Sequence, residues 1–253
     1  MSTAVAVVNL VLGVVYTSYG VMTIIDLKRG WKTMGFSHFG LAWIAMAFTC
    51  GPHHFEHGLH VAIAGRAGGP IDLIAVVVGL PAGVTWFLLR VEALTGGRGD
   101  RFIPGTPRWV AALPAVSVVY LVALVGAASA ALAAGADFNP KMTPNVLLLA
   151  VYFLIGYYLA RTQLRNRPLM GGWSLSGLSL TFVFPTCGLM HIAFVLYAAA
   201  GTYTVDNHGL LIDWMAVPAA LYFVWVVRST IYLRTFEDWN NSSAGSVPEP
   251  VAA

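Results

Sequence analysis

The sequence predicts an all-α integral membrane protein of seven transmembrane helices, built as a parallel 3+1+3 internal repeat with its N-terminus outside and its C-terminus in the cytoplasm. Three observations predict it: an apolar composition, seven stretches long enough to span a bilayer, and a segment that occurs twice. Of 253 residues 58% are hydrophobic and only 10% charged. Soluble domains average about 45–50% apolar and about 25% charged, so this balance excludes both an ordinary water-soluble globule and a disordered chain. Two cysteines also exclude a disulfide-built secreted scaffold.

A hydrocarbon core of roughly 30 Å requires about 20 mostly apolar residues per helix. The first stretch to meet that test is 4–26; it is read as a retained helix because the first basic residue, Lys28, follows it. The others are 35–62, 70–95, 109–134, 144–165, 172–200 and 209–232. They make one membrane domain over 1–239, and the Ser-, Pro- and Ala-rich 240–253 is expected to be a disordered cytoplasmic tail. Of the 14 Lys and Arg, all but Arg66 and Lys141 fall on the side reached after spans one, three, five and seven. The positive-inside rule makes that side the cytoplasm, and a bacterial cytoplasmic membrane is the expected location. The net charge of +3 therefore marks orientation rather than a nucleic-acid partner. The expected surroundings are lipid, with a place as one subunit of a larger membrane complex left open.

Span two reads GFSHFGLAWIAMAFTCGPHH from Gly35, and span six reads GWSLSGLSLTFVFPTCGLMH from Gly172. Without gaps, Gly35, Ser37, Gly40, Leu41, Thr49, Cys50, Gly51 and His54 meet Gly172, Ser174, Gly177, Leu178, Thr186, Cys187, Gly188 and His191. Spans three and seven carry the match further, with Ile71-Asp72 against Ile212-Asp213 and Pro81-Ala82 against Pro218-Ala219. Repeat one thus covers about 4–95 and repeat two about 144–232, with 109–134 as the linker helix. Copies separated by four spans share one orientation, so their pseudo-two-fold axis is expected along the membrane normal. In architecture this plan resembles the parallel repeats of SWEET sugar transporters.

All histidines except His38 are expected in the outer half. At about 100° per residue, and with Cys50 at zero, His54 falls near +40°, His57 near −20°, His53 near −60° and His60 near −80°, on one face of span two. Cys50 and His54 stack one turn apart, and Cys187 and His191 repeat the pair across the axis. Thiolate and neutral imidazole suit soft or borderline metals such as copper or zinc. Cys50, His54, Cys187 and His191 are therefore the expected ligands, with His57 as a fifth. Asp72, Asp213 and His53 are expected to hold ligand imidazoles from behind. Glu56 faces away from His54 and His57; His38, His60 and His208 read as packing or interfacial residues. Gly40, Gly51, Gly177 and Gly188 allow close helix approach, and Pro52 and Pro185 free backbone carbonyls at the depth of the cysteines.

The function expected from this pattern is a metal centre near the outer face with a redox or metal-handling role. A b-type haem with His54 and His191 as axial ligands is the alternative, since no CxxCH exists for covalent attachment. A small-solute or metal transporter is a third class. A metal-dependent hydrolase is a fourth, because Cys50, His54 and Asp72 partly resemble the zinc set of seven-span ceramidases. Those proteins also carry H-x-x-x-H on helix seven, where this chain has only His208 and Asp213 at a different spacing. A retinal protein is excluded, because the lysines are Lys28, Lys32 and Lys141 and none lies on span seven.

Overall fold

The computed structural model describes residues 1–63, 69–108, 110–112, 139–201, 207–235 and 238, together with 115, 119, 122, 126, 129, 130 and 133. Among them the chain is mostly helical: α1 (Ser2–Met34), α2 (His38–Ile63), α3 (Pro70–Leu94), α4 (Thr143–Met170, entered through a 3-10 turn at Pro140–Met142), α5 (Leu175–Ala199) and α6 (Asn207–Val226, continued by a π-helical segment at Val227–Tyr232). Two short strands, β1 (Phe102–Ile103) and β2 (Trp173–Ser174), pair antiparallel. Among the described residues five helices are long and apolar enough to cross a membrane: Ser2–Met34, Pro70–Leu94, Pro140–Met170, Leu175–Ala199 and Leu211–Tyr232. The 26 residues of α2 would reach about 39 Å at 1.5 Å each, but four histidines and Glu56 lower the hydropathy of its second half. Most of the expected fourth span, 109–134, lies outside the described residues, as do Arg66 and the tail 240–253; the described residues between 108 and 133 are helical.

Local chemistry sets the helix boundaries. α1 ends at Gly35 (φ 74°) and α4 at Gly171 (φ 67°), backbone conformations that only glycine adopts without strain. A serine then opens each following helix. Ser37 Oγ accepts from Gly40 N at 2.9 Å and donates to Asp238 Oδ2 at 2.7 Å, while Asp238 Oδ1 accepts from Phe39 N at 2.6 Å. Ser174 repeats this: its Oγ accepts from Gly177 N at 2.9 Å and donates to Asp100 Oδ2 at 2.6 Å, and Asp100 Oδ1 accepts from Ser176 N at 2.9 Å. The free N–H groups at each helix start are thus met by a hydroxyl and a carboxylate, which also oppose the positive end of the helix dipole.

Helix pairings come in matched sets: α1 with α2 and α4 with α5; α1 with α3 and α4 with α6; α3 with α5 and α2 with α6. α2 and α5 run parallel, because Cys50 meets Cys187 and, further along both helices, His53 meets His191. The largest buried cluster lies where they face each other. Leu12, Tyr16 and Tyr19 enter it from α1, Trp43 and Met46 from α2, Trp86 from α3, Tyr152 from α4, Phe184 from α5 and Phe223 from α6. Both helices continue without interruption through Pro52 and Pro185.

Candidate metal centre

Cys50 and Cys187 occupy the midpoints of α2 and α5, so the centre starts midway along both helices and extends toward their C-terminal ends. The Thr-Cys-Gly triplet explains how each is delivered. Thr49 and Thr186 turn their hydroxyls back onto carbonyls of their own helix, those of Ala45 and Met46 and those of Phe182 and Val183. Gly51 and Gly188 let α1 and α4 approach: a Cβ at Gly51 would lie 2.3 Å from Thr17 Oγ1, and one at Gly188 would lie 3.1 Å from the Phe153 ring. The cysteine between them points at its counterpart. The two Sγ atoms are 3.4 Å apart and both thiols are free.

His54 Nε2 lies 3.7 Å from Cys187 Sγ. Its other ring nitrogen, Nδ1, is 2.7 Å from Asn9 Oδ1, and Asn9 donates its amide nitrogen to Val5 O at 2.8 Å. With that amide nitrogen already used, Oδ1 is what Asn9 presents to the ring. Nδ1 must then carry the proton, and Nε2 offers its lone pair toward the sulfur. His191 is held in the same way: Nδ1 is 2.7 Å from Asn145 Oδ1, and the Asn145 amide donates to Asp213 Oδ2 at 2.7 Å. Tyr16 packs edge-on against His54 with ring centroids 5.1 Å apart, and Tyr152 against His191 at 5.4 Å.

The ligand atoms fall into two groups, each spanning no more than 4.8 Å: Cys50, His54 and Cys187 in one, His53, His191 and Asp213 in the other. The four duplicated residues therefore do not converge on one point, because His191 is grouped with His53 and Asp213. His57 Nε2 is 3.9 Å from Asp72 Oδ1, and Asp72 Oδ2 accepts from Gly69 N at 2.8 Å, at the start of α3. Glu56 pairs with His60 at 2.9 Å, facing away from the centre as its helical angle implies. His38 is hydrogen-bonded to the Tyr222 hydroxyl at 2.8 Å, and the side chain of His208 lies outside the described residues.

Metal–sulfur and metal–nitrogen bonds of about 2.3 and 2.0–2.1 Å, at a tetrahedral angle, would separate two sulfurs by about 3.8 Å and a sulfur and a nitrogen by about 3.6 Å. The observed 3.4 and 3.7 Å lie within a few tenths of an ångström of those spacings. Linear two-sulfur coordination would require about 4.6 Å, twice the bond length, and fits poorly. Beside the pair is a cavity of about 20 Å³ walled by Tyr16, Trp43, Phe184 and the two cysteines, room for a small ligand atom and far too little for a porphyrin. These residues define a helical membrane protein with buried Cys/His groups able to hold a metal ion. No known protein family, curated protein or solved structure matches the chain.

Asn9, Asn145, Tyr16 and Tyr152 contact the histidines of the candidate centre, and the match between spans two and six did not reveal them. The signal was present one helix earlier. At a separation of 136 rather than 137 residues, Asn9, Leu12, Val15, Tyr16 and Gly20 meet Asn145, Leu148, Val151, Tyr152 and Gly156.

Proposed function

We propose that this chain holds a copper or zinc ion between Cys50, His54 and Cys187 and uses it in electron transfer or metal handling within the membrane. The observation that carries this is the convergence of two sulfurs and an imidazole nitrogen at ligand spacing, with the imidazole tautomer already set by Asn9. Two neighbouring thiols in an apolar interior carry no charge cost when protonated, so burial alone does not require a metal there. The Cys187 thiol can itself donate to His54 Nε2, so what favours a metal is the gathering of a second sulfur, Cys50, beside that oriented lone pair.

Seven spans in a parallel 3+1+3 repeat, with the N-terminus outside, belong to the same proposal. Matched helix pairings and the matched Asn–His and Ser–Asp contacts support the repeat. The cavity of about 20 Å³ beside the cysteines does not support the haem alternative.

Purified full-length protein, reduced and titrated with Co(II) in detergent, should develop thiolate-to-cobalt charge-transfer absorption. Cys50→Ser or Cys187→Ser should remove it, and His54→Ala should weaken it. Absence of the absorption from the wild type, or its survival in the Cys50→Ser, Cys187→Ser double variant, would overturn the thiolate centre. A Soret band in the protein as isolated would favour haem instead.

A further inference from the structure

We propose that His53, His191 and Asp213 form a second ion site, distinct from the thiolate group and selective for a divalent borderline cation of the zinc class. It deepens the metal reading above, and it rests on that reading only in being the second of two sites. One ligand atom from each of the three residues lies within 4.8 Å of the others. His53 Nδ1 and Asp213 Oδ1 are 3.1 Å apart, yet neither makes an aligned hydrogen bond, although both atoms are buried. An ordinary imidazole–carboxylate pair would point its N–H at the oxygen. Two ligands of one ion instead aim their lone pairs at a shared point beside the line joining them. At bond lengths of about 2.0–2.2 Å and angles between 90° and tetrahedral, such atoms lie about 2.9–3.5 Å apart.

Asn145 prepares the other two donors. It accepts from His191 Nδ1 and donates to Asp213 Oδ2, so one amide turns the His191 Nε2 lone pair and the free Asp213 Oδ1 away from itself. Asp213 is only 2% exposed, and a carboxylate so enclosed requires a compensating positive charge. Neutral imidazoles supply none unless protonated, whereas a divalent cation supplies it directly. Two nitrogens and an oxygen suit zinc-class ions, while the sulfur-rich group suits softer ones.

The second site also belongs to one repeat only. Met190 stands in α5 where α2 has His53, so the duplication supplied the scaffold and one substitution made the two groups chemically different.

The test is metal stoichiometry on the full chain, stripped with chelator and equilibrated with Co(II) or Zn(II). Wild type should bind two equivalents. Asp213→Asn and His53→Ala should each bind one and keep the charge-transfer absorption, with circular dichroism and gel filtration confirming the fold. The Cys50→Ser, Cys187→Ser double variant should bind one equivalent without that absorption. Retention of two equivalents by both Asp213→Asn and His53→Ala, or of none by the cysteine double variant, would overturn the second site. Loss of an equivalent in Asp213→Asn from a wild type that shows no charge-transfer absorption would sink the thiolate centre while sparing this one.

Discussion

Asn9 and Asn145 do for His54 and His191 what a carboxylate or backbone carbonyl does at many metal-ligating histidines: they accept the Nδ1 proton and hold the ring. An amide does this without adding charge, which suits an apolar interior. Asn9→Ala leaves His54 Nδ1 without its acceptor and the ring free to turn. It should weaken metal binding by about 10–100-fold, the usual effect of losing a partner behind a ligand. At saturating Co(II) the charge-transfer absorption should return, because all three ligands remain. If titration gives an unchanged affinity, His54 does not depend on Asn9. The cysteines and histidines were legible from the sequence because they repeat with their neighbours at one fixed separation. The asparagines were not, because the link from α1 to α2 is one residue shorter than the link from α4 to α5 when counted from matched positions, and a search at fixed separation passes over them. The split into two ligand groups was hidden for a different reason. It depends on how α2 and α5 are rotated against each other, and His53 has no counterpart to draw attention to it.

At the level of the helices, Thr-Cys-Gly is a packing device as much as a source of candidate ligands. Its glycine brings α1 onto α2 and α4 onto α5, and the two contacts differ in tightness. A methyl group at Gly51 would meet Thr17 Oγ1 at 2.3 Å and the Thr17 backbone nitrogen at 2.7 Å, whereas one at Gly188 would meet the edge of the Phe153 ring at 3.1 Å. A ring can shift by a few tenths of an ångström, but a helix backbone cannot do so alone. Gly51→Ala should therefore destabilise the protein by about 1–3 kcal/mol, within the range for overpacking a filled interior, and Gly188→Ala by clearly less. Thermal unfolding in detergent followed by circular dichroism measures both, and equal losses would show that the contact between α1 and α2 is as forgiving as its counterpart. The serine–aspartate caps were also illegible beforehand. Ser37 and Ser174 stood within the duplicated segment, but their partners Asp238 and Asp100 arrive from segments far along the chain that helical periodicity does not connect.

For the whole molecule, the contacts at the two ends of the bundle constrain the path of the chain. α3 starts beside the C-terminal ends of α2 and α5, where Asp72 approaches His57 and Ile71 N donates to the Tyr197 hydroxyl at 3.2 Å. It finishes at the opposite end, where Arg90 pairs with Asp26 and Arg29 reaches Leu94 O at 3.1 Å. α4 likewise starts among His191 and Asp213 and finishes where Gln163 accepts from Ser174 N at 3.2 Å. Two consecutive helices thus run in the same direction, and the chain from Asp100 to Asn139 must return from one end of the bundle to the other between them. Under the proposed topology that return would be a crossing, because an unpaired backbone has no water to satisfy it within the hydrocarbon. On the proposed seven-span reading the apolar stretch 109–134 would make it, with α2 counted beside the five most apolar of the described helices. The proposed odd number would place the termini on opposite sides, with the C-terminal side expected to be cytoplasmic from the Lys and Arg bias. A reporter fused after Asn240 should accordingly be active only in the cytoplasm, and a tag ahead of Ser2 should be accessible only from outside. Both termini on one side would mean an even number of crossings, and either 109–134 or the histidine-bearing α2 would then have to lie outside the bilayer. An external C-terminus paired with a cytoplasmic N-terminus would keep seven spans and invert the molecule, placing the His53 and Asp213 end of the bundle on the side of the cell interior.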